Sequence, residues 1–313
     1  MISLVGYTGF VGGNIFASGK IDCGYNSKNI GAAYGTSPDL LIYAGLRAEK
    51  YLANSFPEKD MELILEAEKN IELIAPKKLV LISTVDVLSD PVDAYEDSAI
   101  NESSLCAYGY NRRELEKWVR DKYPDALITR LPALFGYGLK KNFLYDMINT
   151  VPSMLNESKY RELSVKDELI AKCYKQEENG FYKLIADADT KGVLKKHFEE
   201  AGFTSLGFTD SRSVFQFYPL SRLWEDINTA LTSSLTIMHT ATEPVSAAEI
   251  YNYVTGRIFE NELPKEPLKY DFKTRYAELF GGKDGYIMSK EVILRIIKDY
   301  YNKQLSIQSE RIN

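Results

Sequence analysis

The sequence predicts an α/β protein: a parallel sheet covered by helices, followed by a smaller C-terminal region interleaved with it. Three observations predict this. Between Met1 and Gly136, short apolar runs alternate with longer helical segments, as in a chain of βαβ units. The first run leads into a glycine-punctuated turn. Past Gly136 the regularity weakens, without a repeat, a low-complexity tract or a clean linker.

Ile2 to Val5 is an apolar run stopped by Gly6, the pattern of a strand entering a tight turn. Val11, Ile15 and Phe16 then recur at helical spacing. Cys23 to Ser27 and Leu40 to Tyr43 are the next short strands, the second ending at Ala44-Gly45. A long helix is expected from Glu58 to about Ile74, with Met61, Leu65, Glu68 and Ile71 along one side and Pro76 beyond its end. Leu79 to Ile82 is a buried strand stopped by Ser83-Thr84. Asn111 to Asp121 reads as an amphipathic helix, and Ala126 to Thr129 as a strand closed by Arg130-Leu131-Pro132. Right-handed crossovers then leave few topologies open.

Farther on, Gly136 to Asn142 and Ser205 to Arg212 read as loops, and Tyr218 to Leu231 as a return to the helical layer. Ser246 is the expected N-cap of a helix over Ala247 to Val254, and Ser289 to Tyr301 the terminal helix. Residues 1–140 are therefore expected to form one core. Residues 141–313 are expected to form mainly a second region, with segments returning to the first.

The chain has 313 residues, 45% hydrophobic and 26% charged, with a formal net charge of −6. That length suffices for a large core and lies where single cores begin to divide. The charge gives no general attraction for nucleic acid or an anionic membrane, and no basic cluster reverses it locally. Cys23, Cys106 and Cys173 show no metal-ligand spacing, and only His197 and His239 accompany them, so no metal site is expected. The run before Gly6 is too short for a signal peptide, and no later run approaches the roughly 18 apolar residues of a membrane span. Neither nucleic acid nor membrane is expected as a partner, and the cytoplasm is the expected compartment. With 22 tyrosines, a tyrosine gains meaning only from its neighbours.

The turn Gly6-Tyr7-Thr8-Gly9-Phe10-Val11-Gly12 carries glycine at its first, fourth and seventh places. Gly6 permits the sharp exit from the strand, Gly9 the approach of backbone to a pyrophosphate, and Gly12 close packing of the helix on the sheet. The phosphates would meet the free N–H groups opening that helix. Placed between a strand and a helix, this motif predicts a Rossmann-type dinucleotide site contacted by Gly6, Thr8, Gly9, Phe10, Val11 and Gly12. The second strand should end near Tyr25 to Lys28, where an acidic residue would hold the adenosine ribose of NAD. Asn26, Ser27 and Lys28 stand there instead, which tilts the choice toward NADP. Asp22 would restore NAD if the strand boundary shifted.

With Thr84 and Tyr108 beside this turn, the chain resembles the NAD-dependent epimerase/dehydratase family of extended short-chain dehydrogenases/reductases. The matching motifs run from Met1 to about Gly136, and the likeness continues more faintly to the C-terminus. Ala44-Gly45 matches the strand end lining the nicotinamide-side ribose. Ile82-Ser83-Thr84 matches the strand supplying a catalytic Ser or Thr. Tyr108-Gly109-Tyr110-Asn111-Arg112 matches a Tyr-x-x-x-Lys signature, and Arg130 to Gly136 the segment beyond the next strand.

The resemblance implies hydride exchange between a nicotinamide and a nucleotide sugar. Tyr108 would act as proton donor or acceptor, Thr84 would serve the oxygen that changes charge, and Arg112 would take the place of the lysine that binds the ribose hydroxyls, so that Tyr108 and Arg112 would both contact the cofactor. The chemistry agrees, because a phenol with a normal pKa near 10 needs positive charge nearby to ionise at neutral pH. Arginine keeps that charge with a different reach and fork. Tyr110 lies about 200° around the helix from Tyr108 and reads as a packing residue.

Asp86 falls on the second position of the dehydratases' Asp-Glu pair, with Val85 at the first, which argues against dehydration. Asp86 is a candidate substrate contact or loop-ordering group. Lys141-Asn142-Phe143 falls where related enzymes hold nucleotide-sugar phosphates, and Arg212 and Arg222 are further cations suited to phosphate. Around Gln216 to Leu223 the family pattern has an aspartate where this chain has Arg222. The reading implied is an oxidoreductase or epimerase of a nucleotide sugar; a reductase of a small carbonyl or deoxysugar intermediate, and a non-catalytic NAD(P)-binding protein, are the alternatives. Relatives dimerise through a four-helix arrangement, making the Asn111 to Asp121 helix the candidate homodimer contact.

Overall fold

The structure, a computed structural model, describes residues 1–310; the final residues of the expected C-terminal region, 311–313, lie outside it. The chain divides into two compact units. One comprises Met1–Leu139, Val214–Val245 and Lys269–Ile293; the other comprises Lys140–Ser213, Ser246–Leu268 and Leu294 onward.

The first unit is built on a parallel sheet. Its strands β1 (Ile2–Val5), β2 (Cys23–Tyr25), β3 (Leu40–Tyr43), β4 (Leu79–Thr84) and β5 (Leu127–Leu131) are joined by a sixth, Ile237–His239. The spatial order is β2-β1-β3-β4-β5 and then Ile237–His239. Helices α1 (Phe10–Phe16), α2 (Lys50–Ser55), α3 (Pro57–Ile74) and α4 (Ala107–Lys122) form the crossovers. Leu41, Leu79 and Leu81 face Ile64, Ile71 and Ile74 of α3 and Leu115 and Val119 of α4 in one apolar cluster. Leu4, Ile42 and Val80, of opposite strand parity, are equally buried, so both sheet faces are covered. Two-sided burial explains why these strands read as continuous apolar runs.

Three expectations change. In α3, Leu65 is 56% exposed, while Asp60, Ile64, Ala67, Asn70, Ile71 and Ile74 form the buried face. Asp60 and Asn70 disguise this face in the sequence, and both have side-chain partners: Asn111 reaches Asp60, and Tyr34 donates to Asn70. Helix α4 begins at Ala107 rather than Asn111, which puts Tyr108 in its first turn. The segment from Tyr218 does not open as helix. Phe217–Pro219 is a buried strand parallel to β6 (Ala133–Phe135), and the helix starts at Leu223 after a single tight turn. Pairing with β6 decides this, since Pro219 still offers a carbonyl although it has no N–H.

The second unit has its own core of Leu155, Leu163, Ile170, Leu194 and Phe198. It includes α5 (Phe143–Ile148), a small antiparallel sheet and a helix over Ala188–Glu200. Ser246 caps the helix Ala247–Thr255 in a reciprocal capping box with Glu249. The last helix runs over Lys290–Glu310, longer than its clearest periodic stretch. No helix among the described residues is long and apolar enough to cross a membrane.

Candidate active site

The glycine turn lies where the sheet order reverses, with β1 between β2 and β3. Crevices at such reversals, beyond the carboxyl ends of the strands, are where open α/β sheets bind ligands. Gly6 has φ +92°, and a Cβ there would sit 2.3 Å from the Ala44 carbonyl oxygen. A Cβ on Gly12 would sit 2.2 Å from the Gly6 oxygen, and the Gly9 N–H donates to that same oxygen at 2.9 Å. Strand ends and helix start are thus locked backbone to backbone, with Ala44-Gly45 alongside. Thr8 and Gly9 are exposed and Phe10 and Val11 partly so.

Asn26, Ser27 and Lys28 follow β2 directly, in a turn closed by Asn26 Oδ1 on the Lys28 N–H and Asn29 Oδ1 on the Asn26 N–H. Ser27 and Lys28 are exposed. Asp22 lies at the opposite end of β2, where its carboxylate accepts from the Ile2 N–H at 2.7 Å. The NAD-favouring role considered for Asp22 is therefore excluded by its position.

β4 ends at Thr84, whose Oγ1 accepts from the Asp86 N–H at 3.2 Å. With one lone pair so used, the hydroxyl proton remains free to point outward. Helix α4 meets this corner at Gly109, where a Cβ would lie 2.1 Å from the Asp86 carbonyl oxygen. That approach brings Tyr108 and Thr84 to one corner of the unit. The Tyr108 N–H donates to Asn54 Oδ1 of α2 at 2.9 Å. Burial raises the Tyr108 phenol above its usual pKa, although Arg112 and Lys50 act against this.

Arg112 is 3% exposed, and its guanidinium lies 3.9 Å from the Tyr108 ring centroid. One arm is paired with Asp60 and another donates to the Arg47 carbonyl at 2.8 Å. Arg112 therefore packs on the face of the phenol and braces the segment before α2. Tyr110 is 39% exposed.

Asp86 Oδ1 accepts from Lys50 Nζ at 2.7 Å and from the Tyr270 hydroxyl at 3.1 Å. Burial opposes the Lys50 charge, but Asp86 and Tyr270 more than compensate, and its pKa is raised. Burial and Asp86 push the Tyr270 phenol up to about 12. Behind the corner, Ser83 donates to Glu116 of α4 at 2.6 Å, and the buried Glu116 pairs with the buried Arg130 of β5 at 2.7 Å. This network fixes α4 against β4 and β5.

Lys50, Asn54, Asp60, Gly109 and Tyr270 went unmarked in the sequence. Gly109 did carry a signal, since glycine inside a helix costs about 1 kcal/mol relative to alanine and needs a reason. The others carried none: Lys50 reads as a solvated charge and Tyr270 as one of many tyrosines.

The cations expected at phosphate fall in different units. Arg222, in the first, pairs with Asp226 at 3.0 Å, and Asp226 also accepts from Tyr218. Arg212, in the second, grips Asp210 through Nε and a terminal nitrogen and reaches Glu262 at 2.9 Å. A phosphate at either would compete with carboxylates. Lys141 is exposed, and Asn142 caps α5 by accepting from the Tyr145 N–H. No cluster of three or more His, Cys, Asp or Glu placed to hold a metal occurs among the described residues.

Comparison with solved structures bears on this arrangement. A dTDP-4-dehydrorhamnose reductase of Clostridium acetobutylicum is 13% identical, with TM-score 0.60 over 96% of this chain and 98% of its own. RMD of Pseudomonas aeruginosa, complexed with NADPH, is 12% identical, with TM-score 0.62 over 99% of both. A UDP-N-acetylglucosamine 4-epimerase of Methanobrevibacter ruminantium M1 is 10% identical, with TM-score 0.62 over 98% of both. The chain shares their fold from end to end. No protein-family profile and no curated sequence matches it.

Proposed function

We propose that the protein is an NAD(P)-dependent enzyme that reduces or epimerises a nucleotide sugar by hydride transfer. The observation that carries this reading is the packing of α4 on the end of β4, where Gly109, next to Tyr108, lies against the carbonyl of Asp86, two residues past Thr84. The shared fold and the family's motifs, present at the matching strand ends, support it. In this reading residues 1–140 hold the dinucleotide and residues 141–313 mainly the sugar nucleotide.

Gly6, Thr8, Gly9, Phe10, Val11 and Gly12 would hold the pyrophosphate, and Ala44-Gly45 would line the nicotinamide-side ribose. The interlocked glycines fit that role because only bare backbone can pack so closely at the strand ends. Asn26, Ser27 and Lys28, with no carboxylate among them, favour NADP. The nicotinamide, when bound, supplies or accepts the hydride.

The chain's own residues handle the proton. Thr84 presents its hydroxyl hydrogen to the substrate oxygen. Tyr108, kept protonated by burial, enters as a proton donor, which suits reduction of a ketone. Arg112 orients the Tyr108 ring. Asp86 is assigned to the substrate, and Lys141, Asn142, Arg212 and Arg222 to its phosphates. A homodimer through α4 belongs to the same proposal and is checked by light scattering.

A reductase of a deoxysugar intermediate fits the same corner, in line with the dTDP-4-dehydrorhamnose reductase whose fold the chain shares. A second reading, an NAD(P)-binding protein without turnover, is favoured by one observation: Arg112, in the lysine's place, is occupied by Asp60 and Arg47.

Paired fluorescence titrations with NADH and NADPH, followed by turnover of a nucleotide-sugar panel, separate these readings. Saturable binding with NADPH preferred is expected. The Tyr108→Phe variant should keep cofactor affinity and lose about 10²- to 10⁴-fold in turnover. Binding without turnover supports the second reading, and no binding of either cofactor refutes both.

A further inference from the structure

Between the turn that follows β4 and the residues leading into α4, a cavity of about 230 Å³ is lined by the polar Lys50, Asp86, Ser89, Cys106 and Tyr270 and by apolar residues such as Val85 and Leu105. A larger cavity, about 500 Å³, surrounds Tyr95 and Arg275 and includes no residue at the end of β4. The smaller one is below the roughly 300–1,000 Å³ of sites that enclose a drug-sized ligand, so it takes one ring and not a whole sugar nucleotide.

Its charges are balanced within its own wall. Lys50 Nζ and the Tyr270 hydroxyl both bind Asp86 Oδ1, one ammonium against one carboxylate. The Asp86 side chain is 19% exposed, and its second oxygen has further acceptor capacity. Three contacts hold this group in place. Lys50 and Asn54 stand four residues apart on α2; Asn54 binds the backbone of Tyr108 while Lys50 binds Asp86. The Asp86 backbone is pressed on Gly109.

A carboxylate entering here would meet Asp86 with the only lining cation already committed to it. An ammonium would meet Lys50. A hydroxyl meets neither difficulty, since it donates to the carboxylate and accepts from the Ser89 hydroxyl. The apolar lining residues, Val85, Leu88, Pro91 and Leu105, suit the C–H face of a sugar ring.

We propose that the Lys50–Asp86–Tyr270 cluster is a specificity device that admits the neutral, hydroxyl-bearing ring of the nucleotide sugar and rejects uronate and amino sugars. This deepens the function proposed above and rests on it. Asp86 touches the ring; Lys50 and Tyr270 position Asp86 and cancel its charge.

The test uses UDP-glucose and UDP-glucuronate, and the corresponding dTDP pair, by calorimetry on the full chain. Cys106, exposed at the cavity wall, reports occupancy through its alkylation rate, read by peptide mass spectrometry. The wild type should bind the glucose form at least about tenfold more tightly than the glucuronate form, and the glucose form should slow alkylation of Cys106. Asp86→Asn leaves Lys50 without its carboxylate, so the preference should collapse or reverse. Lys50→Met should weaken the glucuronate form further, and the double variant, with neither charge in the lining, should bind the two forms with nearly equal affinity. Equal binding of both sugars by the wild type, a ratio unmoved in Asp86→Asn, or Cys106 alkylated at the same rate with sugar nucleotide bound would each overturn the inference. If NADPH still binds in that case, the parent reading stands. If neither NAD(P)H nor any nucleotide sugar binds, both fall together.

Discussion

Replacing Gly109 by alanine isolates the contact on which the proposed site depends. Two effects oppose each other. Alanine gains about 1 kcal/mol over glycine inside a helix. The new methyl, however, would lie 2.1 Å from the Asp86 carbonyl oxygen, an atom of backbone that cannot rotate away. Relief requires α4 or the Val85–Val87 turn to move by about 1 Å, since comfortable carbon–oxygen contacts lie near 3.3 Å or beyond. Overpacking of this kind costs about 1–3 kcal/mol, and more where backbone must shift. A net loss of up to about 2 kcal/mol remains, or up to roughly 8 °C in the unfolding midpoint of a domain this size.

Gly192 supplies the control. It lies in the helix Ala188–Glu200 with nothing within 4 Å of an added Cβ, so Gly192→Ala receives the helix gain alone and should raise stability by about 0.5–1 kcal/mol. Thermal and urea unfolding of both variants measure the difference. Turnover gives an independent readout, because misplacement of Tyr108 by about 1 Å is expected to cost on the order of 10²-fold. A Gly109→Ala protein as stable as Gly192→Ala, with normal turnover, would refute the close-packing account of this corner.

Other expectations follow from the buried charges. Glu116 ionises despite its burial because Arg130 and Ser83 favour the carboxylate, holding its pKa below the usual value. Its stabilising contribution is thus present above the unfolded-state value near 4.3 and fades as pH falls through the lower folded value. Glu116→Gln should flatten the acid limb of stability against pH and cost about 3–5 kcal/mol at neutral pH, measured by urea titration. Arg112→Met leaves Asp60, 7% exposed, without its guanidinium and should destabilise by a similar amount, whereas Arg112→Lys should retain much of the stability; circular dichroism melts rank the three. A fully stable Arg112→Met would show that Asp60 is solvated where the structure has it buried.

The strands and the glycine turn were legible along the chain because both sheet faces are buried and close backbone contacts demand glycine. Ile2–Val5, Leu40–Tyr43 and Leu79–Thr84 need no distant information beyond their apolar runs. The buried side of α3 was not legible, since Asp60 and Asn70 enter the core through partners far along the chain. Nor was the strand Phe217–Pro219, which exists by pairing with Ala133–Phe135. The same division separates the parts of the site. Gly6, Thr84 and Tyr108 stand in local motifs, whereas Lys50, Asp86 and Tyr270 meet across 36 and 184 positions of sequence.

Order along the chain, with its periodicity and its glycines, was enough to settle the α/β class and the position of the turn at the first strand, and it marked Thr84 and Tyr108 as the candidates for the proposed chemistry. Which carboxylate each cation serves was decided only by folding. Asp60 binds Arg112, Asp86 binds Lys50, and Asp210 and Asp226 hold Arg212 and Arg222. The physical reason is that a buried or half-buried charge must find its counter-ion in space, and local patterning records a residue's own surface preference but not the distant group that will neutralise it.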